Sequence, residues 1–315
     1  MSEQDRSAAV PSGSKPARDV ESPAVSVVVP TYQRPRLLAR TVRALAEIDP
    51  PRGGFEVVVV DDGSDREHVA AAEHELAGRA SFRLLRQANR GPAAARNSGL
   101  AATESPLVAF LDDDCAPARD WLVRLVAGLE TAEDAVGAVG GRVLPAPATN
   151  WVSRFCGATE YSSGVQPVFE NAATANACFR RSVLEELGGF DEGFRYPGGD
   201  DPDLSFRARA AGHRLAFVPD AIVYHSEFES YREYLGHLYR RGIGDARLGR
   251  KTGRAGRVFL RAVLLPVFLA RTGRICWQVT AGKGRLGIRL VWLVLEAGGR
   301  VAFVLGGMRG LAYGA

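Results

Sequence analysis

Acidic residues follow two of the apolar runs in the chain, and carboxylates are groups that hold cations or move protons. Asp61 and Asp62 follow the run at 55–60, and Asp112, Asp113 and Asp114 follow the run at 107–111. Neighbouring like charges repel unless a cation neutralises them, so three consecutive acids predict a cation site. Asp112 and Asp114 offer two carboxylates from one turn, which suits Mg²⁺ or Mn²⁺. For Asp61 and Asp62 an ordinary turn or helix cap is the alternative.

The predicted cation suits chemistry at a phosphate group. A divalent ion neutralises phosphate oxygens and makes a nucleoside diphosphate a better leaving group. The chain has no Gly-x-x-x-x-Gly-Lys loop, and no Gly-x-Gly-x-x-Gly follows its first apolar run. These absences disfavour a P-loop kinase or ATPase and a dinucleotide-dependent redox enzyme.

A second acidic cluster begins at Asp200 and contains Asp201 and Asp203. Direct attack of a hydroxyl on a sugar–phosphate bond needs a general base on the opposite face of the sugar, and a carboxylate of this cluster can serve. The preceding Gly198 and Gly199 give the backbone freedom to aim those side chains. For Asp203, stabilisation of a helix N-terminus is the alternative role.

Alternating strand and helix patterns predict the β-sheet that positions these acids. Apolar runs predict strands at 24–30, 55–60, 82–85 and 107–111, with helices at 36–48, up to about 78, and within 89–102. This rhythm indicates an α/β fold with a mostly parallel sheet and crossover helices. Ligands of such sheets bind at the carboxyl ends of the strands, which here carry Thr31, Tyr32 and the first two acidic groups. Further on, 151–190 is less regular, and the pattern predicts helices at 181–187 and up to about 211, and short strands at 215–218 and 221–224.

The net charge of +4 conceals an uneven distribution along the chain. Residues 231–315 hold 16 of the 40 Lys and Arg residues but three of the 36 Asp and Glu residues. We therefore divide the chain into a disordered segment at 1–23, a catalytic domain at 24–228 and a basic helical region at 229–315. The four cysteines are widely spaced, which argues against a zinc site or a disulfide framework and fits a cytoplasmic setting.

The basic region predicts attachment to a membrane surface. Aromatic residues at 230–241 have helical spacing, 240–257 is basic and rich in glycine, and the apolar runs at 258–270 and 286–305 are interrupted by charges. Neither run has the roughly 20 apolar residues that a spanning helix needs. Apolar faces edged with arginine suit a peripheral position on the anionic cytoplasmic face of the inner membrane. A helical subdomain packed on the catalytic core is the alternative, and nucleic-acid binding is disfavoured because no aromatic stacking platform accompanies the charge.

Six segments in the expected order resemble family 2 glycosyltransferases of the GT-A fold over about 200 residues. They are VSVVVPTYQRPRLLARTV (25–42), VVVVDDGS (57–64), NRGPAAARNSGL (89–100), VAFLDDDC (108–115), ANACFRRSVLEELGGFDEGF (175–194) and GGDDPDLSFRARAAGHRLAFVPDAIVYH (198–225). The resemblance implies a Rossmann-like nucleotide-binding half and inverting transfer of a sugar from a nucleoside diphosphate, commonly a uridine one, to a hydroxyl acceptor. It also implies Mg²⁺ or Mn²⁺ as the cofactor and a role in cell-envelope polysaccharide or glycolipid synthesis.

The resemblance also implies roles for individual residues. The residues expected to bind the nucleotide sugar are Pro30, Thr31, Tyr32, Asp61, Asp62 (which would hydrogen-bond the base), Arg96, Asp112 and Asp113. Asp114 would be the main metal ligand, with Asp112 near the ribose or the metal. Asp201 matches the second acid of the family's Glu-Asp pair and would be the general base; Asp200 stands where the family has Glu. His225 lies where some relatives place a further metal ligand, although a lone histidine after a strand is more often structural.

Two alternatives remain at this stage. A nucleotidyltransferase also uses acidic metal sites beside an α/β sheet, and Arg34 and Arg36 could grip its triphosphate. A module that binds a nucleotide sugar without turnover is the non-enzymatic alternative, and the intact acids at every motif argue against it.

Overall fold

A computed structural model describes residues 23–160, 171–226, 228–253 and 286–313. The predicted N-terminal lead-in, apart from its last residue, and the apolar run at 258–270 lie outside the described residues.

A single eight-stranded sheet forms the centre of the fold, with the strand order β3-β2-β1-β4-β7-β6-β8-β5. The strands are β1 (Val25–Thr31), β2 (Phe55–Asp61), β3 (Phe82–Arg86), β4 (Leu107–Phe110), β5 (Cys115–Pro117), β6 (Val136–Pro145), β7 (Ala177–Arg180) and β8 (Arg214–His225). The first four strands pair in parallel, β7 runs antiparallel to β4 and β6, and β6 pairs with β8 in parallel. The predicted α/β fold with a mostly parallel sheet is confirmed.

Helices cover the two faces of the sheet and continue into the basic region. Those of the described residues are α1 (Pro35–Ala46), α2 (Arg66–Leu76), α3 (Pro92–Ala101), α4 (Trp121–Glu130), α5 (Trp151–Glu160), α6 (Arg181–Glu186), α7 (Asp200–Ala210), α8 (Tyr231–Lys251) and α9 (Leu286–Tyr313).

Valine runs produce the central strands and align their ends. β1 and β2 are buried on both faces along most of their length, as expected for β-branched strands covered by helices. Their register pairs Thr31 with Asp61, and β4 pairs with β1 so that Phe110 lies opposite Val28. The residues that follow β4 therefore reach the same rim as Thr31 and Asp61. The sheet register brings the acids after β2 and β4 to one edge, as the sequence predicted.

The second half of the sheet differs in detail from the prediction. The two short strands expected at 215–218 and 221–224 form one strand, β8, whose pairing with β6 shifts in register between Gly141 and Arg142. That irregularity accommodates Pro219, which has no backbone N–H to donate to a ladder. β5, β6, β7, α4 and α5 were not predicted. β5 and β7 have only three and four residues and are too short for a periodic pattern.

The basic region contains a closely packed helix pair. α8 includes 240–251, which is part of the stretch that the sequence showed to be basic and rich in glycine. Glycines of this stretch allow close contact, because they face the backbone of other segments. A Cβ added at Gly242 would lie 2.1 Å from the Phe303 carbonyl oxygen, and one at Gly306 would lie 1.9 Å from that of Tyr239. The two helices cross with backbone against backbone. No helix in the described part of the chain combines the length and the apolar character needed to cross a bilayer.

Candidate active site

Asp113 anchors the acidic turn that follows β4. Its carboxylate accepts a hydrogen bond from the Thr31 hydroxyl at 2.7 Å, and its backbone oxygen accepts one from the Thr41 hydroxyl at 2.8 Å. The side chain is buried, and burial raises the pKa of Asp113 to about 7 against the opposing charge of Arg34. Asp113 thus faces inward, towards β1 and α1, and fixes the direction of the two acids on either side.

Arg34 pairs with two acids of this turn. It lies just before α1, and its Nη1 is 2.8 Å from Oδ2 of Asp114 and 3.2 Å from Oδ1 of Asp113. The two carboxylates outweigh the effect of burial and raise the pKa of Arg34 above its ordinary value. This arginine, which the sequence offered as a grip for a triphosphate, instead neutralises the acids of the rim.

His225 stands on the other side of Asp114. It ends β8, where it pairs with Cys115 of β5, and its Nε2 lies 3.3 Å from Oδ1 of Asp114. Burial raises the pKa of Asp114, but the charges of His225 and Arg34 lower it by more than burial raises it, so the pKa lies below its ordinary value. Asp114 is therefore ionised at neutral pH and in contact with an imidazole nitrogen.

The pair of Asp114 and His225 fits a divalent cation. Ligand atoms of Asp114, Cys115 and His225 lie within 4.8 Å of one another. One carboxylate and one imidazole form a donor set that Mn²⁺ accepts. Burial raises the pKa of the Cys115 thiol well above its usual value, and Mn²⁺ and Mg²⁺ prefer oxygen ligands to thiolates, so Cys115 is the weakest donor of the three. Asp112 is not part of this group, because its carboxylate is turned towards Arg96.

Arg96 connects the two acidic clusters. It projects from α3, and its Nη2 lies 2.8 Å from Oδ1 of Asp112 while its Nη1 lies 2.6 Å from Oδ2 of Asp200. The guanidinium is buried, and its carbon lies 5.7 Å from the centre of the Phe190 ring. A charge-assisted pair of this kind fixes both partners strongly. The acid turn after β4 and the first turn of α7 are consequently held at one place.

Asp200 and Asp201 are adjacent but have different surroundings. Asp200 is buried and paired with Arg96, whereas Asp201 is half-buried and its carboxylate has no hydrogen bond or ion pair to any of the residues that the structure describes. Burial and the negative charge of Asp200 raise the pKa of Asp201 to about 7. A carboxylate with such a pKa can accept a proton near neutral pH.

Asp203 has a structural role. It is almost fully buried, and its carboxylate lies 2.8 Å from Nε of Arg207 and 2.7 Å from Nζ of Lys251. Lys251, at the end of α8, also contacts Asp191 at 2.9 Å. These ion pairs tie α8 to α7.

The acids after β2 organise the neighbouring loops. Asp62 accepts hydrogen bonds from the backbone N–H of Arg90 at 2.9 Å and of Gly91 at 2.8 Å, and from Gln87 Nε2 at 2.7 Å. Asp61 accepts the backbone N–H of Ser64 at 3.2 Å, as a turn would require. Both acids therefore have local partners, and their contact with a nucleotide stays a prediction.

The remaining residues expected to bind the nucleotide lie at the same rim. Pro30 is buried within β1, Thr31 is bonded to Asp113, and Tyr32 is 48% exposed just beyond the strand. Tyr32 is thus open to a ligand, whereas Pro30 shapes the floor beneath it.

α8 adds charged groups to the site that sequence reasoning missed. Glu233, His237 and Arg241 recur every four residues and so share one face of the helix. Burial and the nearby cations Arg241, His225 and Arg240 lower the pKa of His237 to about 3, and the charge of Arg241 acts on Asp201. The signal was present in this spacing, but the aromatic residues on the other faces of α8 dominated the pattern.

The fold and the site together define a glycosyltransferase of the GT-A class. The model of glycosyl transferase family 2 matches residues 26–188, and the chain belongs to this family. Membership of a glycosyltransferase family disfavours the nucleotidyltransferase alternative.

Known proteins resemble the chain over most of its length. It is 31% identical over 221 residues to the pre-mycofactocin glycosyltransferase of Mycobacterium tuberculosis, covering 67% of this chain and 44% of that protein. It is 30% identical over 226 residues to the glycosyltransferase AglE of Haloferax volcanii, covering 71% of this chain and 73% of AglE. The mannosyltransferase PcManGT of Pyrobaculum calidifontis, solved with GDP-Man and Mn²⁺, has a similar structure with a TM-score of 0.62 at 24% identity, over 93% of this chain and 89% of that one. The chain thus spans less than half of the pre-mycofactocin enzyme.

Proposed function

We propose that the chain transfers a sugar from a nucleoside diphosphate to a hydroxyl acceptor with inversion, and that Asp201 is the general base. The observation that carries this proposal is the contrast between two neighbouring acids. Arg96 holds Asp200 at 2.6 Å, whereas Asp201, the next residue, is left without a partner among the described residues. An acid that is held next to the site, unpaired and with a pKa of about 7, suits removal of a proton from a hydroxyl.

The proposed step is a single displacement. The acceptor oxygen forms a bond to the anomeric carbon, the bond from that carbon to the phosphate oxygen breaks, and the hydroxyl proton passes to a carboxylate oxygen of Asp201. Attack on the face opposite the leaving group inverts the configuration. Arg96 favours the ionised form of Asp200 against the effect of burial, which raises the pKa of that carboxyl, and the charge of Asp200 contributes to the raised pKa of Asp201 that the step uses.

Asp114 and His225 would hold the metal ion. Their donor atoms lie 3.3 Å apart, and the ionised state of Asp114 leaves it ready to bind a cation. A bound Mg²⁺ or Mn²⁺ supplies neutralisation of the diphosphate oxygens. Asp112 would face the donor with the exposed part of its side chain, while Arg96 binds its Oδ1.

Substitution of the base tests the proposal. Asp201→Asn should abolish transfer and leave the affinity for the nucleotide unchanged, because the amide keeps the shape of the side chain but cannot accept a proton. Asp220→Asn is the matched control, since Asp220 is an exposed acid whose ion-pair partner is Arg124 of α4. Transfer should be followed with UDP-sugars and GDP-sugars, and NMR of the product should show the inverted anomer.

An Asp201→Asn protein that still transfers the sugar would refute the assignment of Asp201 as the general base. A retained anomeric configuration would refute the displacement. A wild-type protein that binds the nucleotide sugar without turnover would establish the binding-module alternative.

We also propose that the basic region attaches to an anionic membrane surface at the cytoplasmic face. Val301, Leu305 and Met308 form an exposed apolar stripe on α9, with 59%, 52% and 53% of their surface accessible. This stripe belongs to the region with 16 cationic and three acidic residues, which favours contact with anionic lipid. Leu305→Glu should weaken sedimentation with vesicles that contain phosphatidylglycerol, and Val123→Glu, at an exposed position of α4, should not. Equal sedimentation of both variants would refute the attachment.

A further inference from the structure

The pairing between β6 and β8 is interrupted by three extra residues in β8. Gly141 lies opposite Val218, but the next residue, Arg142, lies opposite Ile222, so 219–221 have no counterpart in β6. The four residue pairs beyond the interruption lead to the last residue of β8, which is the proposed histidine ligand of the metal. The position of that histidine along the sheet therefore depends on how the interruption is bridged.

The side chain of Asn176 bridges the interruption. Its Nδ2 donates to the carbonyl oxygen of Ala221 at 2.8 Å and to that of Arg142 at 3.0 Å, which are groups of β8 and β6 respectively. Its Oδ1 accepts a hydrogen bond from Nε1 of Trp121 at 2.8 Å. Asn176 is 1% exposed, and a buried amide with partners on both its nitrogen and its oxygen is held in one orientation. The amide thus joins the two strands where their backbone ladder is broken.

Gly141 allows this close contact. Its backbone N–H donates to the Asn176 carbonyl oxygen at 3.0 Å. A Cβ added at Gly141 would lie 2.1 Å from the Ala221 carbonyl oxygen and 2.4 Å from Nδ2 of Asn176. A side chain at position 141 would therefore displace either the amide or β8, as expected where glycine permits a close approach of two backbones.

The end of β8 is fixed against the acidic turn. His225 pairs with Cys115 of β5, and the backbone N–H of Ser226 donates to the Asp114 carbonyl oxygen at 2.8 Å. Nε2 of His225 lies 3.3 Å from Oδ1 of Asp114. Because side chains alternate between the faces of a sheet, a slip of β8 by one residue would turn the imidazole to the opposite face. The contact between these two side chains therefore requires one particular register of β8.

We propose that Asn176 is a positioning residue for the metal site. Its amide sets the register of the end of β8 and so places the imidazole of His225 beside the carboxylate of Asp114. The effect on metal binding rests on the proposed function, whereas the placement of the imidazole can be measured without any metal.

Calorimetry with Mn²⁺ alone tests the effect on the metal site. Asn176→Ala should weaken Mn²⁺ binding about tenfold, because loss of a residue that orients a metal ligand costs about 10–100-fold in affinity. Thr103→Val is the matched control, since Thr103 is also buried and its hydroxyl also faces two backbone oxygens, those of Gly99 and Leu100 in α3. Urea denaturation should show both variants destabilised, whereas Mn²⁺ affinity should fall in Asn176→Ala alone.

NMR of the metal-free protein tests the placement itself. The ring signal of His225, identified by its loss in His225→Gln, should move in Asn176→Ala and stay in place in Thr103→Val. Asn176→Asp keeps the shape of the side chain and the acceptor for Trp121 but has at most one hydrogen to donate, so it should also move the signal and weaken Mn²⁺ binding.

Three results separate the possible failures. A folded Asn176→Ala protein with an unmoved His225 signal and wild-type Mn²⁺ affinity would overturn the inference. Wild-type behaviour of Asn176→Asp beside a weakened Asn176→Ala would also overturn it, because the side chain would then only fill space. Wild-type protein that binds no Mn²⁺ would refute the proposed metal site, and the ring signal would still decide whether Asn176 places His225.

Discussion

Gly244 couples the basic region to the proposed base, and its replacement by alanine is a direct test of that coupling. The added Cβ would lie 1.8 Å from the Gly198 carbonyl oxygen, whereas ordinary contact begins at 3.4 Å. The two backbones must therefore separate by about 1.6 Å, and overpacking of this kind costs about 1–3 kcal/mol of unfolding free energy. The segment at Gly198 leads directly into the first turn of α7, which contains Asp201. A displacement of about 1 Å at a reacting group can lower the rate about a hundredfold.

The control is another glycine of the same helix. A Cβ at Gly242 would lie 2.1 Å from the Phe303 carbonyl oxygen, so Gly242→Ala should produce a comparable loss of stability, but against α9 and not against the catalytic loop. Chemical denaturation should show both variants destabilised, while single-turnover transfer should be about a hundredfold slower in Gly244→Ala alone. Equal transfer rates in the two variants at matched folded fraction would refute the coupling.

Four further predictions follow from charged groups of the structure. Transfer should fall about tenfold per pH unit below the pKa of about 7 of Asp201, because a base must be deprotonated to act, and the pH–rate profile measures this. The pKa of Asp201 in the folded protein exceeds the ordinary value of 3.8, so between about pH 4 and pH 7 the folded state binds more protons at Asp201 than the unfolded state. The contribution of Asp201 to the free energy of unfolding therefore falls as the pH rises through this range. Asp201→Asn should be more stable than the wild type at pH 8 in urea denaturation. Asp114→Ala should abolish Mn²⁺ binding in calorimetry, whereas Cys115→Ala should retain it, since Mn²⁺ prefers oxygen and nitrogen ligands to a thiolate. Retention in both would refute the metal site. Lys251→Met removes a half-exposed ion-pair partner of buried Asp203 and should lower the free energy of unfolding by about 1 kcal/mol. The Arg232→Gln protein, changed at an exposed position of α8, is the control and should show no change. An unchanged denaturation midpoint in Lys251→Met would show that Arg207 alone neutralises Asp203.

The sequence predicted the parallel half of the fold well because its strands are long valine runs ended by polar residues. β1 and β2 appear within one residue of the expected bounds, and the acids after β2 and β4 do meet at one rim. β5 and β7 could not be predicted, since three or four residues give no periodicity and their pairing depends on distant partners. The expected disordered start and the run at 258–270 stay predictions.

Side-chain partners were harder to predict than positions. The identity of Asp112, Asp113 and Asp114 indicated a cation site, but not that each acid would turn to a different neighbour. That choice depends on Arg34 and Arg96, which are 62 positions apart in sequence and reach the turn from α1 and α3. Long-range ion pairs of this kind leave no local signal.

The position of Arg96 has a consequence for exchanging parts between related enzymes. One guanidinium supplies one nitrogen to each of two acids, Asp112 and Asp200, that lie 88 positions apart in the sequence. A chimera that joined the N-terminal portion of this protein to a foreign segment lacking an acid at 200 would bury an arginine with half of its charge unmatched. Recombination is therefore expected to succeed when Arg96, Asp112 and Asp200 are transplanted as a set, and to yield poorly folded hybrids when the crossover separates them.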